Sequence, residues 1–222
     1  PAVPRLLARL SGPAAERAPA ARALGGIGPA AAPAVPDLVA LLAGPENETI
    51  AAAGEALGRI GPPALGGLLA ALRHEDANVR YNVAILLARH EAAAAPGIPL
   101  LLDGLEREKN PAFLGALHGA LVAIGPPAVD PAVERLASAT GTHRLFLLDL
   151  LIGLAHATPA AVEAAQGLLG DEDRWVRGKA ALALGAMGDP AALPALRSHA
   201  EDPDESVRQA VAEAIDALES EE

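Results

Sequence analysis

The 222-residue sequence contains no cysteine, and its aromatic residues are two Phe, one Tyr and one Trp. The lack of thiols excludes disulfides and thiolate metal sites. No apolar stretch reaches about 18 residues without a Pro, a Gly or a charge, so we expect no transmembrane helix and no membrane insertion. No signal peptide is visible, and we expect a cytoplasmic protein.

An initiating Met is also lacking, because the sequence begins with Pro1. We therefore expect an excised or processed piece, which is monomeric or part of a longer chain. The composition is rich in Ala, with 22 Gly and 20 Pro, and this bias is typical of a GC-rich bacterial source.

Basic residues are scarce, with 17 Lys and Arg against 28 Asp and Glu, for a net charge of −11. Residues 111–222 carry 7 basic and 17 acidic side chains. Nucleic-acid binding needs a cationic surface, so we expect no nucleic-acid partner. The acidic C-terminal end is interpreted either as a solvated cap or as a docking site for a basic partner.

What the sequence does contain is a repeat. The segment ALGGIGP at residues 23–29 returns as ALGRIGP at residues 56–62, and in weaker form at residues 120–126 and 183–189. A period of 30 to 34 residues predicts a solenoid. One anchor position recurs in every unit and is polar only at His90: Ile27, Ile60, His90, Ile124, Leu154, Met187 and Leu218. The predicted units of this single domain are 1–29, 30–61, 62–92, 93–125, 126–157, 158–188 and 189–222.

Each unit is predicted to form two helices. Pro follows an apolar residue at positions 35–36 and 98–99, which suits the first turn of a helix. Apolar residues then recur three, four and seven positions on, as on one helical face. Gly-Pro or Gly-Asp-Pro ends the second helix, with Gly expected as a left-handed cap. The fold class is therefore all-α.

Short polar residues precede the second helices and can accept the unpaired N–H groups of the first turn. Thr140 occupies the same place in the fifth unit. The predicted helix caps are Asp76, Asn110, Asp173 and Asp204.

The pattern that begins at Asp173 resembles the short HEAT repeat of phycobilisome-lyase-like proteins. Its frame is Asp-x-x-Val-Arg-x-x-Ala-x-x-x-Leu-Gly-x-Met-Gly over residues 173–188, and Asp76 and Asp204 begin two further copies. The resemblance implies a right-handed α-solenoid, or superhelix, of about seven HEAT-like hairpins whose second helices line the concave face.

In that family the Arg after the Val pairs with acidic residues of neighbouring repeats. The resemblance therefore implies a structural ladder of arginines along the stack, with a binding stripe for acidic ligands as the alternative. The ladder positions are Arg17, Arg80, Arg144, Arg177 and Arg208.

Catalysis is not supported by the residues themselves. Deoxyhypusine hydroxylase has a similar repeat and binds iron through His-Glu pairs. The resemblance would place these pairs at Tyr81-Asn82, Gly178-Lys179 and Gln209-Ala210 of this chain. None of these residue pairs can hold iron. Four aromatic residues are also sparse for a tetrapyrrole pocket. We therefore expect no metal, no cofactor and no enzyme activity.

A binding surface is expected on the exposed side of the second helices. Tyr and Arg residues on that side are preferred candidates, because interface hot spots favour Tyr, Trp and Arg. Phe146 has a second interpretation as a core residue, and Trp175 is expected to cover a junction between repeats. The candidate partner-binding residues are Arg59, Tyr81, Asn82, Arg89, Phe146 and Lys179.

The sequence thus predicts a non-catalytic scaffold that binds another protein on its concave surface. The alternative is a lyase-like or accessory enzyme that acts on a bound chromophore or protein side chain. A closed apolar cleft with at least one converging acid or His would favour the alternative, and a shallow polar groove would exclude it.

Overall fold

The computed structural model describes residues 2–220, and within this range it contains α-helices and short 3₁₀ segments but no β-strand. The α-helices are α1 Ala2–Leu10, α2 Ala14–Ile27, α3 Val35–Leu41, α4 Asn47–Ile60, α5 Leu65–Ala71, α6 Ala77–Ala88, α7 Ile98–Arg107, α8 Pro111–Ile124, α9 Val129–Leu136, α10 Gly141–Leu154, α11 Pro159–Gly167, α12 Arg174–Met187, α13 Leu193–Ser198 and α14 Glu205–Ser220. Each consecutive pair forms one hairpin, so the seven predicted repeats are the seven hairpins of the described chain.

The chain divides into two compact units between Ile124 and Gly125, one residue before the predicted border of the fourth and fifth repeats. That all seven repeats act as a single domain stays a prediction.

Both units have two layers of helices. In the first unit, the second helices α2, α4, α6 and α8 pack in sequence, and α1, α3 and α5 pack on one side of them. In the second unit, α10, α12 and α14 form one layer, and α9 packs against α11. Within each unit, successive hairpins therefore bury their apolar sides against one another, as expected for an α-solenoid.

The core of each unit is built from positions that recur in the repeat. The leucine three residues before the anchor is fully buried in the second helix of most repeats, because it faces both the first helix and the adjacent hairpin. These residues are Leu24, Leu57, Leu87 and Leu121 in the first unit and Leu151 and Leu184 in the second.

His90 occupies the anchor position of the third repeat and is half-buried. Burial lowers the pKa of His90 below its ordinary value of 6.5, and the adjacent Arg89 charge lowers it further. A neutral imidazole therefore takes the place that an Ile, a Leu or a Met has in the other repeats.

The residue after the anchor has a positive φ at six successive junctions. Gly28 and Gly61 have φ 71° with ψ −140°, so neither is the left-handed cap that the sequence predicted. Proline follows both, and proline disfavours helical ψ values in the residue before it. Gly188, which precedes Asp189, has φ 71° and ψ 16° and does form a left-handed cap.

Two of these junctions carry a positive φ without a glycine. Glu91 has φ 47° and Ala155 has φ 46°, and a left-handed conformation costs a non-glycine residue about 1–2 kcal/mol. The junction geometry is therefore imposed by the packing of the hairpins, even where the sequence no longer favours it.

One stretch, Ala14–Leu41, has the length and composition of a membrane span, with a mean hydropathy of 1.3. The expectation that the chain has no such helix is corrected on this point. The stretch comprises α2, a 3₁₀ segment and α3, and α2 and α3 both pack against α4. Its apolar character is accounted for by this packing, and the absence of membrane insertion stays a prediction.

Candidate functional site

The exposed side of α6 carries a row of residues at helical spacing. Tyr81, Ile85 and Arg89 follow one another at intervals of four, which places them on one face. Ile85 is 42% exposed and is one of two large hydrophobic residues exposed in the described chain. Sequence analysis missed Ile85. This residue lies six positions after Val79, and the same position of the repeat is occupied by Glu55 in the second repeat and by Asp149 in the fifth.

Two arginines extend this face to α4. Arg59 and Arg89 occupy the same position in their repeats and are both exposed. Arg59 pairs with Glu55 at 2.7 Å on its own helix. The Arg89 guanidinium lies over Gly58, where a Cβ would come within 2.9 Å of Nη1. We call the residues Arg59, Tyr81, Asn82, Ile85 and Arg89 the α4–α6 face.

Tyr81 and Asn82 are half-buried and partly engaged in packing. The Tyr81 ring meets the buried Phe113 ring edge to face, at 6.1 Å between centroids. The Asn82 amide donates to the Asn78 carbonyl at 2.9 Å. Both side chains therefore hold α6 in place as well as bordering the exposed face.

The other two predicted binding residues lie in the second unit, so no single surface of one unit contains all six. Phe146 on α10 is half-buried. Lys179 on α12 donates to the Asp149 carboxylate on α10, which ties the two helices together. The partner-binding role of all six residues stays a prediction.

The ladder arginines close the turns within their own hairpins. Each donates to a backbone carbonyl five or six residues earlier, in the turn that precedes its helix. The acceptors are Gly12 for Arg17, His74 and Glu75 for Arg80, Ala139 for Arg144, Asp171 and Glu172 for Arg177, and Asp202 and Pro203 for Arg208.

Three ladder arginines also reach a carboxylate of the following repeat. The pairs are Arg80 with Glu108 at 3.6 Å, Arg144 with Asp171 at 2.6 Å and Arg177 with Asp202 at 2.7 Å. Because these guanidinium groups already have carbonyl and carboxylate partners, the geometry favours a structural role over a binding stripe.

Arg177 and Asp202 form the most buried of these pairs, with side chains 13% and 4% exposed. The guanidinium donates through Nε at 2.7 Å and Nη2 at 2.9 Å to the two carboxylate oxygens. These hydrogen bonds hold the pKa of Asp202 below its ordinary value and raise the pKa of Arg177.

The four predicted caps all accept a backbone N–H two residues later, at distances of 2.7 to 2.9 Å. Thr140 makes no such bond, so the expected cap of the fifth repeat is wrong.

A partly enclosed cleft of about 550 Å³ lies between the turns of the third and fourth repeats. Its apolar wall includes Leu100, Phe113 and Leu117. A volume of this size is within the range of small-molecule pockets, roughly 300–1,000 Å³. Sequence analysis did not predict this cleft, because its residues come from α6, α7 and α8 and from the turns that precede α6 and α8.

The polar groups of this cleft carry a positive balance. Arg73, Arg80 and Arg107 line it together with two acids, Asp103 and Glu108. Arg80 is already engaged by Glu108 and by two backbone carbonyls, so Arg73 and Arg107 are the guanidinium groups that suit an apolar, anionic molecule beside this wall.

His74 also lines the cleft. Its Nδ1 accepts the backbone N–H of Asp76 at 3.0 Å, so the neutral ring carries its proton on Nε2. The lining of the cleft therefore includes an imidazole of fixed ring orientation, which is the type of group that the lyase-like alternative requires.

Trp175 borders the junction of the sixth and seventh repeats, because the clefts that it lines also include Pro203 and Glu205 of the seventh repeat. It does not bury itself in this junction as a covering residue would. It lies in the first turn of α12, beside the buried Val176, and is 56% exposed. Its exposure follows from its position, since the adjacent Val176 takes the inward direction.

Metal binding finds no support in the described part of the chain. Among residues 2–220, no group of three or more His, Asp or Glu side chains lies close enough to hold an ion. The places that the resemblance gives to iron ligands, such as Tyr81 and Asn82, do not fit an iron centre, and we derive no step through one.

Comparison with known proteins supports the repeat assignment. Residues 130–216 match the family model described as HEAT repeats. The structure of Kap121p matches with a TM-score of 0.55 at 12% identity, covering 98% of this chain and 33% of that one. This similarity concerns the fold alone. No curated protein sequence matches the chain.

Two similar structures are enzymes by their descriptions. Human deoxyhypusine hydroxylase has 27% identity and a TM-score of 0.47, with 98% of this chain and 84% of that chain covered. The CpcE–CpcF complex of phycocyanin lyase from Nostoc sp. PCC7120 has 25% identity and a TM-score of 0.44, with 97% and 94% covered. The prediction that the chain is not an enzyme is therefore wrong as an inference from the repeat, because similar repeats occur in enzymes.

The recurring buried leucines, the two-layered hairpins and the matched HEAT model agree with one another. The chain is a HEAT-like repeat protein with an all-α solenoid fold.

Proposed function

We propose that the chain is a protein-interaction scaffold whose partner binds on the α4–α6 face. The observation that carries this proposal is the exposure of Ile85 between Tyr81 and Arg89. An exposed apolar side chain beside Tyr and Arg has the composition of an interface centre. The packed second helices below it form a preformed surface, so binding has a low ordering cost.

Partner capture with surface variants tests this proposal. Ile85→Asp and Arg89→Glu change exposed side chains, so we expect both variants to fold and to lose the partner that the unaltered chain captures from its source organism. Arg5→Glu is the matched control, because Arg5 is exposed on α1 and the charge change equals that of Arg89→Glu. Mass spectrometry identifies the partner, and retention of the same partner by every variant would contradict the proposal.

The cleft of the third and fourth repeats supports a second candidate function, which is the binding of a small apolar anion. Arg73, Arg107 and the apolar wall carry this proposal, and His74 lines the same cleft as a candidate proton donor. Such a site is compatible with a lyase-like or accessory role on a bound molecule.

The fluorescent apolar anion anilinonaphthalene sulfonate is a suitable probe of the cleft. We expect Arg107→Ala to weaken its binding severalfold, because an exposed guanidinium at the rim is removed. Arg5→Ala removes the same charge far from the cleft and should leave the binding unchanged. Equal weakening by both variants, or no saturable binding, would exclude this site.

A further inference from the structure

Trp175 is the single Trp of the chain and is 56% exposed. The neighbouring residue, Arg174, covers part of its ring, with the guanidinium carbon 4.9 Å from the ring centroid. More than half of the residue remains accessible, so the ring has surface left for a second contact. Trp is enriched among the residues that dominate binding at protein interfaces, so an exposed Trp marks a candidate binding surface.

The position of the indole is fixed by contacts between the sixth and seventh repeats. Arg174 donates to the Asp204 carboxylate at 2.9 Å. Asp204 in turn accepts the Ser206 N–H at 2.9 Å, as the N-cap of α14. The ring is therefore held by a guanidinium that is anchored to the next hairpin, and little ordering is required on binding.

The surroundings of the indole are acidic. Trp175 lines two adjoining clefts, which also include the exposed carboxylates Glu172 and Glu205. The two cations nearby are already neutralised, since Arg174 pairs with Asp204 and Arg177 with Asp202. Glu172 and Glu205 have no ion-pair partner within residues 2–220, so the net charge beside the ring is negative.

We propose that this surface, formed by Glu172, Trp175 and Glu205, docks a protein segment that carries Arg or Lys beside small or apolar residues. The cation of the segment contacts the indole and the two carboxylates, and the rest of the segment packs on the ring edge. Arg174 already occupies one such contact, which shows that the ring accepts a guanidinium. This surface lies in the second unit and is independent of the α4–α6 face.

Intrinsic fluorescence tests this proposal directly, because Trp175 is the only indole. The probe is the peptide acetyl-(Arg-Gly)₄-amide, with acetyl-(Glu-Gly)₄-amide as its control. We expect a saturable change of Trp emission with the arginine peptide only. In a labelled-peptide anisotropy assay, Trp175→Ala should weaken binding roughly tenfold, the size expected of an aromatic hot spot.

A charge-matched pair of variants separates a specific site from general attraction to an acidic protein. Glu172→Gln with Glu205→Gln should weaken the arginine peptide severalfold. Glu134→Gln with Glu163→Gln removes two exposed carboxylates from α9 and α11 and should have no more than a small effect. Equal weakening by both pairs would overturn the proposal. A change of Trp emission with protein concentration alone would identify a second copy as the occupant and would also overturn it.

Discussion

Asp202→Ala should lower the free energy of unfolding by about 3 kcal/mol, because it leaves the Arg177 charge without its carboxylate in a largely buried position. The variant also removes the acceptor of the Asp204 N–H, which lies 2.9 Å from Asp202 Oδ1. Denaturant unfolding followed by Trp175 emission measures the loss within the same unit of the chain.

The matched control is the exposed pair of Arg197 and Glu219, with side chains 60% and 47% exposed. Glu219→Gln should cost less than about 1 kcal/mol, since an exposed ion pair is screened by solvent. Similar losses for Asp202→Ala and Glu219→Gln would mean that burial of the Arg177 pair has no special effect.

The effect of Asp202→Ala should also depend on pH. The pKa of Asp202 is lowered in the folded protein from 3.8, first by the hydrogen bonds from Arg177. The unfolded chain therefore takes up the proton at higher pH than the folded chain does. The stabilisation by Asp202 is present above about pH 4 and is lost as the pH falls through the lower, folded-state pKa. The stability difference between the unaltered chain and the variant should narrow in that acidic range.

Gly25→Ala and Gly26→Ala should change stability in opposite directions, although the two glycines are adjacent in α2. A Cβ on Gly25 would lie 2.9 Å from the Ala56 Cα, so α2 and α4 would have to separate. We expect a loss of about 2 kcal/mol from this overpacking. A Cβ on Gly26 meets nothing within 4 Å, and the alanine should stabilise the helix by about 0.5–1 kcal/mol.

Chemical denaturation of the three proteins under identical conditions measures both effects. The second unit offers a repetition of the test, since a Cβ on Gly185 would lie 2.8 Å from the Ala214 Cα. If Gly25→Ala stabilised the chain as much as Gly26→Ala, the close approach of α2 and α4 would be refuted.

The glycine of the repeated Ala-Leu-Gly motif shows how far sequence analysis can go. The recurrence of Gly25 and Gly185 is visible in the sequence, and so is the helix that contains each of them. Gly25 and Gly185 lie against a helix of the next repeat and permit close contact with it, whereas Gly26 has no neighbour there. This difference depends on a repeat about 30 residues away in the sequence. The sequence therefore supports the helices and their boundaries better than the contacts between them.

The candidate sites were less accessible to sequence analysis. Arg59 and Lys179 were selected for their register, but the structure pairs them with Glu55 and Asp149. Ile85 and Trp175 remain exposed. Sequence analysis missed Ile85 and assigned Trp175 a packing role. A repeat register shows which way a side chain points, but it does not show which partner the next helix provides.

The sequence by itself determined the period, the paired helices and the four Asp or Asn helix caps, because each depends on local spacing that returns along the chain. The tertiary structure alone decided the positive φ at Glu91 and Ala155, the cleft between the third and fourth repeats, and the exposure of Trp175. These features arise where successive hairpins meet, and the packing of neighbours there overrides the preference of the single residue.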